Sequence, residues 1–442
     1  MGQKRLKLSC GLTEFPIKIL DLADSLEILD LSNNRLSSLP DAFEQLQNLK
    51  IAFFTNNEFE AFPEVLARCP KLSMVSFKGN KLKTISERAL APSIRWLILT
   101  NNQLKVLPAA IGQLSTLQKL MLAGNQLQSL PEALAHCQNL ELIRLSANRL
   151  PTLPDWLLTL PRLAWLAYAG NPGCDALASV AGSRSLRSLP IINAAEIQLG
   201  DSLGQGASGV IYQGWWTAAQ KPGGMPTTAI EPQQVAIKLF KGEITSDGLP
   251  LDEMRACVAA GAHPHLVQVV GKLSHSSEGK AGLVFSFIPP DYKNLGNPPD
   301  FDTCTRDTYP AETAFTLPMI LHIARGVASA VAQLHANGII HGDLYAHNIL
   351  VNDVGHSLLG DFGAAFFYDP IDPVLGPALA RLEVRAFGCL LEDLLDRYSL
   401  TDGEEPADVS LTALRRLQQE CLHPVPTMRP LFSTINERLA SV

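Results

Sequence analysis

Three oxygen-bearing side chains and one cation carry the strongest chemical signal in this sequence. Asn348 follows Asp343 by five positions, and Asp361 stands thirteen positions beyond Asn348. Asp361 and Asn348 are hard oxygen donors of the kind Mg²⁺ takes together with phosphates and water. A carboxylate held beside them, such as Asp343, can accept or orient the proton of a hydroxyl group. Lys238 ends the apolar run Val235-Ala236-Ile237, where a strand would hold its ammonium group in one direction. Upstream lies Gly204-Gln-Gly206-Ala-Ser-Gly209, a glycine-rich turn whose backbone N–H groups can approach phosphates that side chains would block. Alone that glycine pattern is weak, because dinucleotide-binding folds use it too.

The elements around these residues narrow the choice. Strand-like sequence begins near Leu199, and the glycine turn leads into Val210-Ile211-Tyr212. Glu253 lies fifteen residues after Lys238, in a stretch from Leu251 to Ala260 that reads as a helix. The run Leu283-Val-Phe285-Ser286-Phe287 precedes the segment Ile340-His341-Gly342-Asp343-Leu344-Tyr345-Ala346-His347-Asn348-Ile349-Leu350. Then come apolar Leu358-Leu359, Asp361-Phe362-Gly363 and, near the end, Cys421-Leu-His-Pro with Arg429-Pro430. In this order and with roughly this spacing, about residues 193 to 440 resemble eukaryotic-type protein kinases.

That resemblance implies a bilobal α+β fold over 193–442, with an N-lobe to about 288 and a C-lobe from about 289, using ATP and Mg²⁺. Phosphoryl transfer needs positioning and charge neutralisation more than covalent help. Gly204, Gly206 and Gly209 would cover the nucleotide, beside Ile211. Lys238 would reach the α- and β-phosphates, held by an ion pair to Glu253. Ala236 would face the adenine, with Phe285, Ser286 and Phe287 where the pocket meets the hinge. Asn348 and Asp361 would hold the metal, and Asp343 would orient the acceptor hydroxyl.

Several positions depart from the family pattern. Gly342 replaces the arginine of H-R-D, so the cation that clamps a phosphorylated activation loop is missing. Tyr345 replaces the lysine common in serine/threonine kinases, and His347 stands where many tyrosine kinases place arginine. The acceptor is therefore assigned to serine/threonine on base rate alone. Residues 364–381 contain no Ser, Thr or A-P-E, offering only Tyr368, and Arg429 lacks its family partner. Glu383-Val-Arg-Ala-Phe387-Gly388 resembles the D-x-W-S-x-G helix start, with Glu for Asp. Residues 289–311 read as a polar, proline-rich, flexible insertion.

The first half is repetitive. The frame LxxLxLxxNxLxxLP opens at Leu26, Leu49, Leu72, Ile94, Leu117 and Leu140, 22 or 23 residues apart, with a partial copy at Leu163. This resembles the leucine-rich-repeat family and implies an α/β solenoid, a horseshoe, over 26–171. Residues 1–25 read as an N-terminal cap and 172–192 as an end cap and linker. Inward leucines of stacked units share one core that no single unit could form. The asparagines Asn34, Asn57, Asn80, Asn102, Asn125, Asn148 and Asn171 recur at the turn after each strand, where they can satisfy backbone groups the bend leaves unpaired. The third and fifth positions face the concave side, and Phe53, Trp96, Ile98, Met121 and Trp165 make an apolar stripe there. A stripe of that kind is expected to bind a protein partner, a substrate or the kinase domain itself in a closed form.

Composition sets the outer limits. The chain has 442 residues, 46% hydrophobic and 18% charged, which suits two or three folded domains. A net charge of -7 argues against nucleic acid or an anionic membrane as partner. Eight scattered cysteines without a CxxC pair suggest reduced thiols in the cytoplasm. No signal peptide is evident, and no apolar run is read as long enough to span a membrane. Three functions remain: an ATP-dependent protein kinase with a recognition or regulatory solenoid, a pseudokinase scaffold, and a small-molecule phosphotransferase.

Overall fold

The computed structural model describes residues 3–174, 177, 189–206, 208–217, 232–242, 244–274, 281–400 and 408–442. Eight short parallel strands stack in chain order through the first half: β1 (Arg5–Lys7), β2 (Ile28–Asp30), β3 (Ile51–Phe53), β4 (Met74–Ser76), β5 (Trp96–Ile98), β6 (Lys119–Met121), β7 (Leu142–Arg144) and β8 (Trp165–Ala167). Ile28, Ile51, Met74, Trp96, Lys119, Leu142 and Trp165 form one row across the sheet, and Asp30, Phe53, Ser76, Ile98, Met121, Arg144 and Ala167 another. The residue between the two rows in each strand, Leu29 through Leu166, is buried in the solenoid interior. The repeat register is therefore the one the sequence pattern sets.

Each frame asparagine links neighbouring coils. Asn80 accepts from the Phe59 amide at 3.1 Å and donates to the carbonyls of Phe54 and Phe77 at 2.8 and 3.0 Å. Asn102 and Asn125 repeat that pattern one and two coils on. Buried backbone groups at the bend thus find partners. The N-terminal cap supplies the first coil: β1 pairs with β2, and Phe15 and Ile19 close the core.

The second half is bilobal. β10 (Ile197–Gln205), β11 (Gly209–Trp216), β12 (Gln233–Phe240), β13 (Val269–Leu273) and β14 (Gly282–Ser286) form a sheet, with β9 (Ile191–Ile192) parallel to β13 at its edge. The kinase fold therefore starts inside the segment expected as linker, most of which lies outside the described residues. Helix α1 (Pro250–Ala259) packs beside this sheet, while α2 (Leu317–Ala336), α3 (Leu375–Leu395), α4 (Asp408–Cys421) and α5 (Phe432–Ser441) build the C-lobe. By length and composition α2 is apolar enough to cross a membrane, which corrects the sequence estimate. Its Ile320, Ile323, Val327, Val331 and Leu334 are buried in the C-lobe core.

The two halves share their packing. One buried cluster runs from the solenoid leucines into Ile340, Phe366, Tyr368, Leu379 and Leu382 of the C-lobe. A second joins Met121, Leu142, Ala164 and Trp165 to the C-lobe core. Part of the concave stripe, Met121 and Trp165 above all, thus packs against the chain's own second half, which is one of the occupants its chemistry allows.

Candidate active site

The cleft between the lobes measures about 620 Å³. β12 carries Lys238 to its wall and α1 brings Glu253 to meet it in a buried ion pair. Burial works against the charge on Lys238, but the carboxylates of Glu253 and Asp361 outweigh it and hold the ammonium above its ordinary range. Ile211, Ala236, Phe285, Ser286 and Phe287 line the cleft from the sheet and the hinge, and Asn348 and Asp361 line it from below.

The three glycines differ in what they do. A Cβ at Gly204 or Gly206 would meet nothing within 4 Å, so neither position is crowded, and Gly206 borders the cleft while Gly204 does not. At Gly209, also on the cleft wall, a Cβ would sit 2.5 Å from the Leu239 carbonyl. Close pairing of β11 with β12 is what demands glycine there.

The loop from His341 to Asn348 is tied on all sides. Glu383 of α3 accepts the Gly342 and His341 amides at 2.8 and 3.3 Å and lies 2.7 Å from His335 Nε2. His341 Nε2 reaches the Gly360 carbonyl at 2.8 Å, and Phe362 packs on the His341 ring at 5.1 Å. Asp361 takes a left-handed backbone conformation, φ 51°, which turns its carboxylate back onto the Gly363 amide at 3.1 Å. Asn348 Nδ2 donates to both the carbonyl and the Oδ2 of Asp343 at 2.9 Å. Thus Asp343, Asn348, Asp361, Lys238 and Glu253 belong to one tied-together region, although Asp343 itself lies just beyond the cleft lining.

These residues fall within one recognisable pattern. The protein tyrosine and serine/threonine kinase family matches residues 197–369, and the leucine-rich-repeat family matches 24–82, 92–150 and 115–172. The chain is a leucine-rich-repeat protein with a kinase domain. Among curated proteins it is similar to cyclin-dependent kinase 11B of Rattus norvegicus, 25% identical over 252 residues, 52% of this chain and 50% of that one. Cyclin-dependent kinases 11B and 11A of Homo sapiens show the same identity and coverage of this chain, over 28% of their own length. The chain thus spans between about a quarter and a half of the relatives it matches.

A kinase domain implies ATP and a divalent metal, and the residues fit both. The cleft offers apolar walls at Ile211, Ala236 and Phe285 and a polar end at Lys238, Asn348 and Asp361. Among the described residues no group of three or more His, Cys, Asp or Glu could hold a metal unaided. Asn348 and Asp361 suit a cation that completes its shell with phosphate oxygens and water, as Mg²⁺ does.

The kinase-family match ends at 369, and contacts with the solenoid lie both within it and beyond it. Arg429, buried, donates to the carbonyls of Pro161, Arg381 and His423 at 2.8, 3.1 and 2.9 Å. The insertion 289–311 is not a free loop. Phe301 packs on Phe53 and Trp96, Arg95 donates to the Asp302 carbonyl, Thr305 donates to Glu141, and Arg306 pairs with Glu392 and Asp393. Tyr368 is buried with its hydroxyl 3.4 Å from the His335 carbonyl. The segment that follows enters α3 at Leu375.

Of the stripe residues, Trp165 lies flat on Tyr345 at 4.3 Å and donates to the Leu344 carbonyl at 3.1 Å. Phe53 and Trp96 hold Phe301, Met121 is buried, and Ile98 packs against the shared core. Sequence reading missed three polar residues. Asp307 accepts the Ala346 amide at 2.6 Å and meets His347 Nδ1 at 2.7 Å. Arg144 and Asp247 meet beside Asp343. The one visible signal was an arginine among mostly apolar residues in its row of the concave face.

Proposed function

We propose that this chain is an ATP- and Mg²⁺-dependent protein kinase that phosphorylates serine or threonine hydroxyls. The observation that carries the reading is the closed Lys238–Glu253 pair facing Asn348 and Asp361 across one cleft. Lys238 holds the nucleotide phosphates, Asn348 and Asp361 present oxygen atoms to the metal, and Asp343 orients the attacking hydroxyl. Bound Mg²⁺ would supply charge neutralisation on the phosphate oxygens. The solenoid serves this centre from within, by covering the C-lobe, and a protein partner reaches it elsewhere than the concave face. Eight free cysteines, seven of them buried, support a reducing, cytoplasmic setting.

A scaffold without transfer is the competing reading, favoured by the solenoid lying against the loop that bears Asp343. Incubation with γ-labelled ATP and Mg²⁺, with and without casein, tests both. Label on casein or on the chain supports the kinase. ATP binding without any transfer would replace it with the scaffold.

A further inference from the structure

The solenoid residue Arg144 is a deeply buried charge at the domain junction, its side chain only 3% exposed. It stands on β7, in the concave row that also holds Met121 and Ala167. Its guanidinium donates to the Asp343 carboxylate and to the Gly342 carbonyl at 3.0 Å, and forms an ion pair with the Asp247 carboxylate at 2.7 Å. The first two belong to the catalytic loop, and the third to the segment leading into α1, which carries Glu253.

The loop is shaped to receive this side chain. Gly342 has φ 73°, and a Cβ there would collide with the Leu166 carbonyl of β8 and come within 2.8 Å of the Ala364 carbonyl. The position where related kinases keep an arginine is therefore closed by the solenoid backbone itself. Arg144 supplies a cation to the same loop from the solenoid. Trp165, on the adjacent strand β8, holds the Leu344 carbonyl. The two carbonyls flanking Asp343 are thus fixed by solenoid side chains, and its two carboxylate oxygens by Arg144 and Asn348.

Resting on the kinase reading above, we infer that Arg144 is a positioning residue for phosphoryl transfer, so that the leucine-rich repeats complete the active site of their own kinase domain. In the step it serves, the acceptor oxygen forms a bond to the γ-phosphorus and the bond to the β,γ-bridging oxygen breaks. ADP leaves with that electron pair, and the acceptor's proton passes to Asp343. Arg144 touches neither substrate; it holds the accepting carboxylate in place. A removable plug would pack loosely and rely on solvent-exposed contacts. Arg144 instead sits in packing continuous with the C-lobe core, between Met121, Leu142 and Trp165.

The test uses the full chain, γ-labelled ATP, Mg²⁺ and casein, counting label on casein, on the chain and in free phosphate. Arg144→Met should lower kcat by on the order of 10²-fold, the effect of misplacing one catalytic group. The KM for ATP should stay within about twofold. Arg144→Lys should recover part of kcat, again with little change in the KM for ATP. If Arg144→Met does not fold, Arg144→Met/Asp247→Asn removes the stranded charge and is read in the same way. Unchanged or raised kcat in a folded variant overturns the inference and makes Arg144 a spectator or a brake. ATP binding without transfer by the unaltered chain overturns both this inference and the kinase reading.

Discussion

The nucleotide side and the acceptor side of this centre are built on different plans. The nucleotide side comes from one stretch of chain, in which β11, β12, α1 and the hinge bring Ile211, Ala236, Lys238 and Glu253 to one wall. The acceptor side is assembled from segments far apart in sequence: Arg144 and Trp165 from the solenoid, Asp307 from the insertion, and Glu383 from α3. Arg429, from beyond them all, fastens the solenoid at Pro161. The nucleotide makes the same demands on every kinase domain, so its residues keep fixed types and spacing. The face that receives an acceptor is free to be rebuilt, and here a second domain has taken over that ground.

The widest separation between the two sides should come from Asp343→Asn and Lys238→Met. Both should reduce transfer by about 10³-fold or more, but only the lysine variant should weaken ATP binding measured by calorimetry. Equal loss of ATP affinity in both would erase the distinction drawn here.

Next in size is Trp165→Ala. It empties a buried stack against Tyr345 and should destabilise the protein by about 3–5 kcal/mol. Because the buried clusters cross from solenoid to C-lobe, calorimetry should show both regions melting at the lower temperature together. Two separated transitions, with only the solenoid shifted, would show that the domains merely touch. The same packing makes Met121 a core residue, although the stripe reading had counted it as a surface anchor.

The insertion offers a milder test. Phe301 is 46% exposed, so Phe301→Ala should cost only about 1–2 kcal/mol by area lost to solvent. It should speed hydrogen exchange of residues 300–306 and leave ATP affinity alone. Loss of ATP affinity in this variant would tie the insertion to the wrong side.

Smallest is a pH effect at His347. Burial lowers its pKa, but the hydrogen bond it donates to the Asp307 carboxylate more than compensates and leaves it above its ordinary value of 6.5. A histidine raised on folding gives stability that is complete below its unfolded pKa and is lost as pH rises through the folded one. The melting temperature of the unaltered protein should therefore fall as pH rises past that range, relative to His347→Gln. Parallel curves for the two proteins would remove His347 from the account.

What the sequence made legible follows the same division. Repeat spacing determined the strand register and the inward and concave rows, because a fixed period constrains every coil alike. Contiguous motifs located Lys238, Glu253, Asn348 and Asp361. Asp307, Asp247 and Arg144 carried no such pattern, since each depends on contacts that only folding creates. Residues 289–311 looked mobile from their Pro and polar content, but Phe301 and Thr305 had partners on the solenoid that no local reading could supply. Gly342 was visible as a missing arginine; that the Leu166 carbonyl occupies the space was not.

The most direct measurement of whether the solenoid builds the acceptor side is hydrogen exchange in Trp165→Phe. This change keeps an aromatic ring on Tyr345 and removes only the indole bond to the Leu344 carbonyl. The amides of residues 341–346 should exchange faster than in the unaltered chain, while those of β11 and β12 keep their protection. Unchanged exchange at 341–346, with loosening confined to the solenoid strands, would contradict the account.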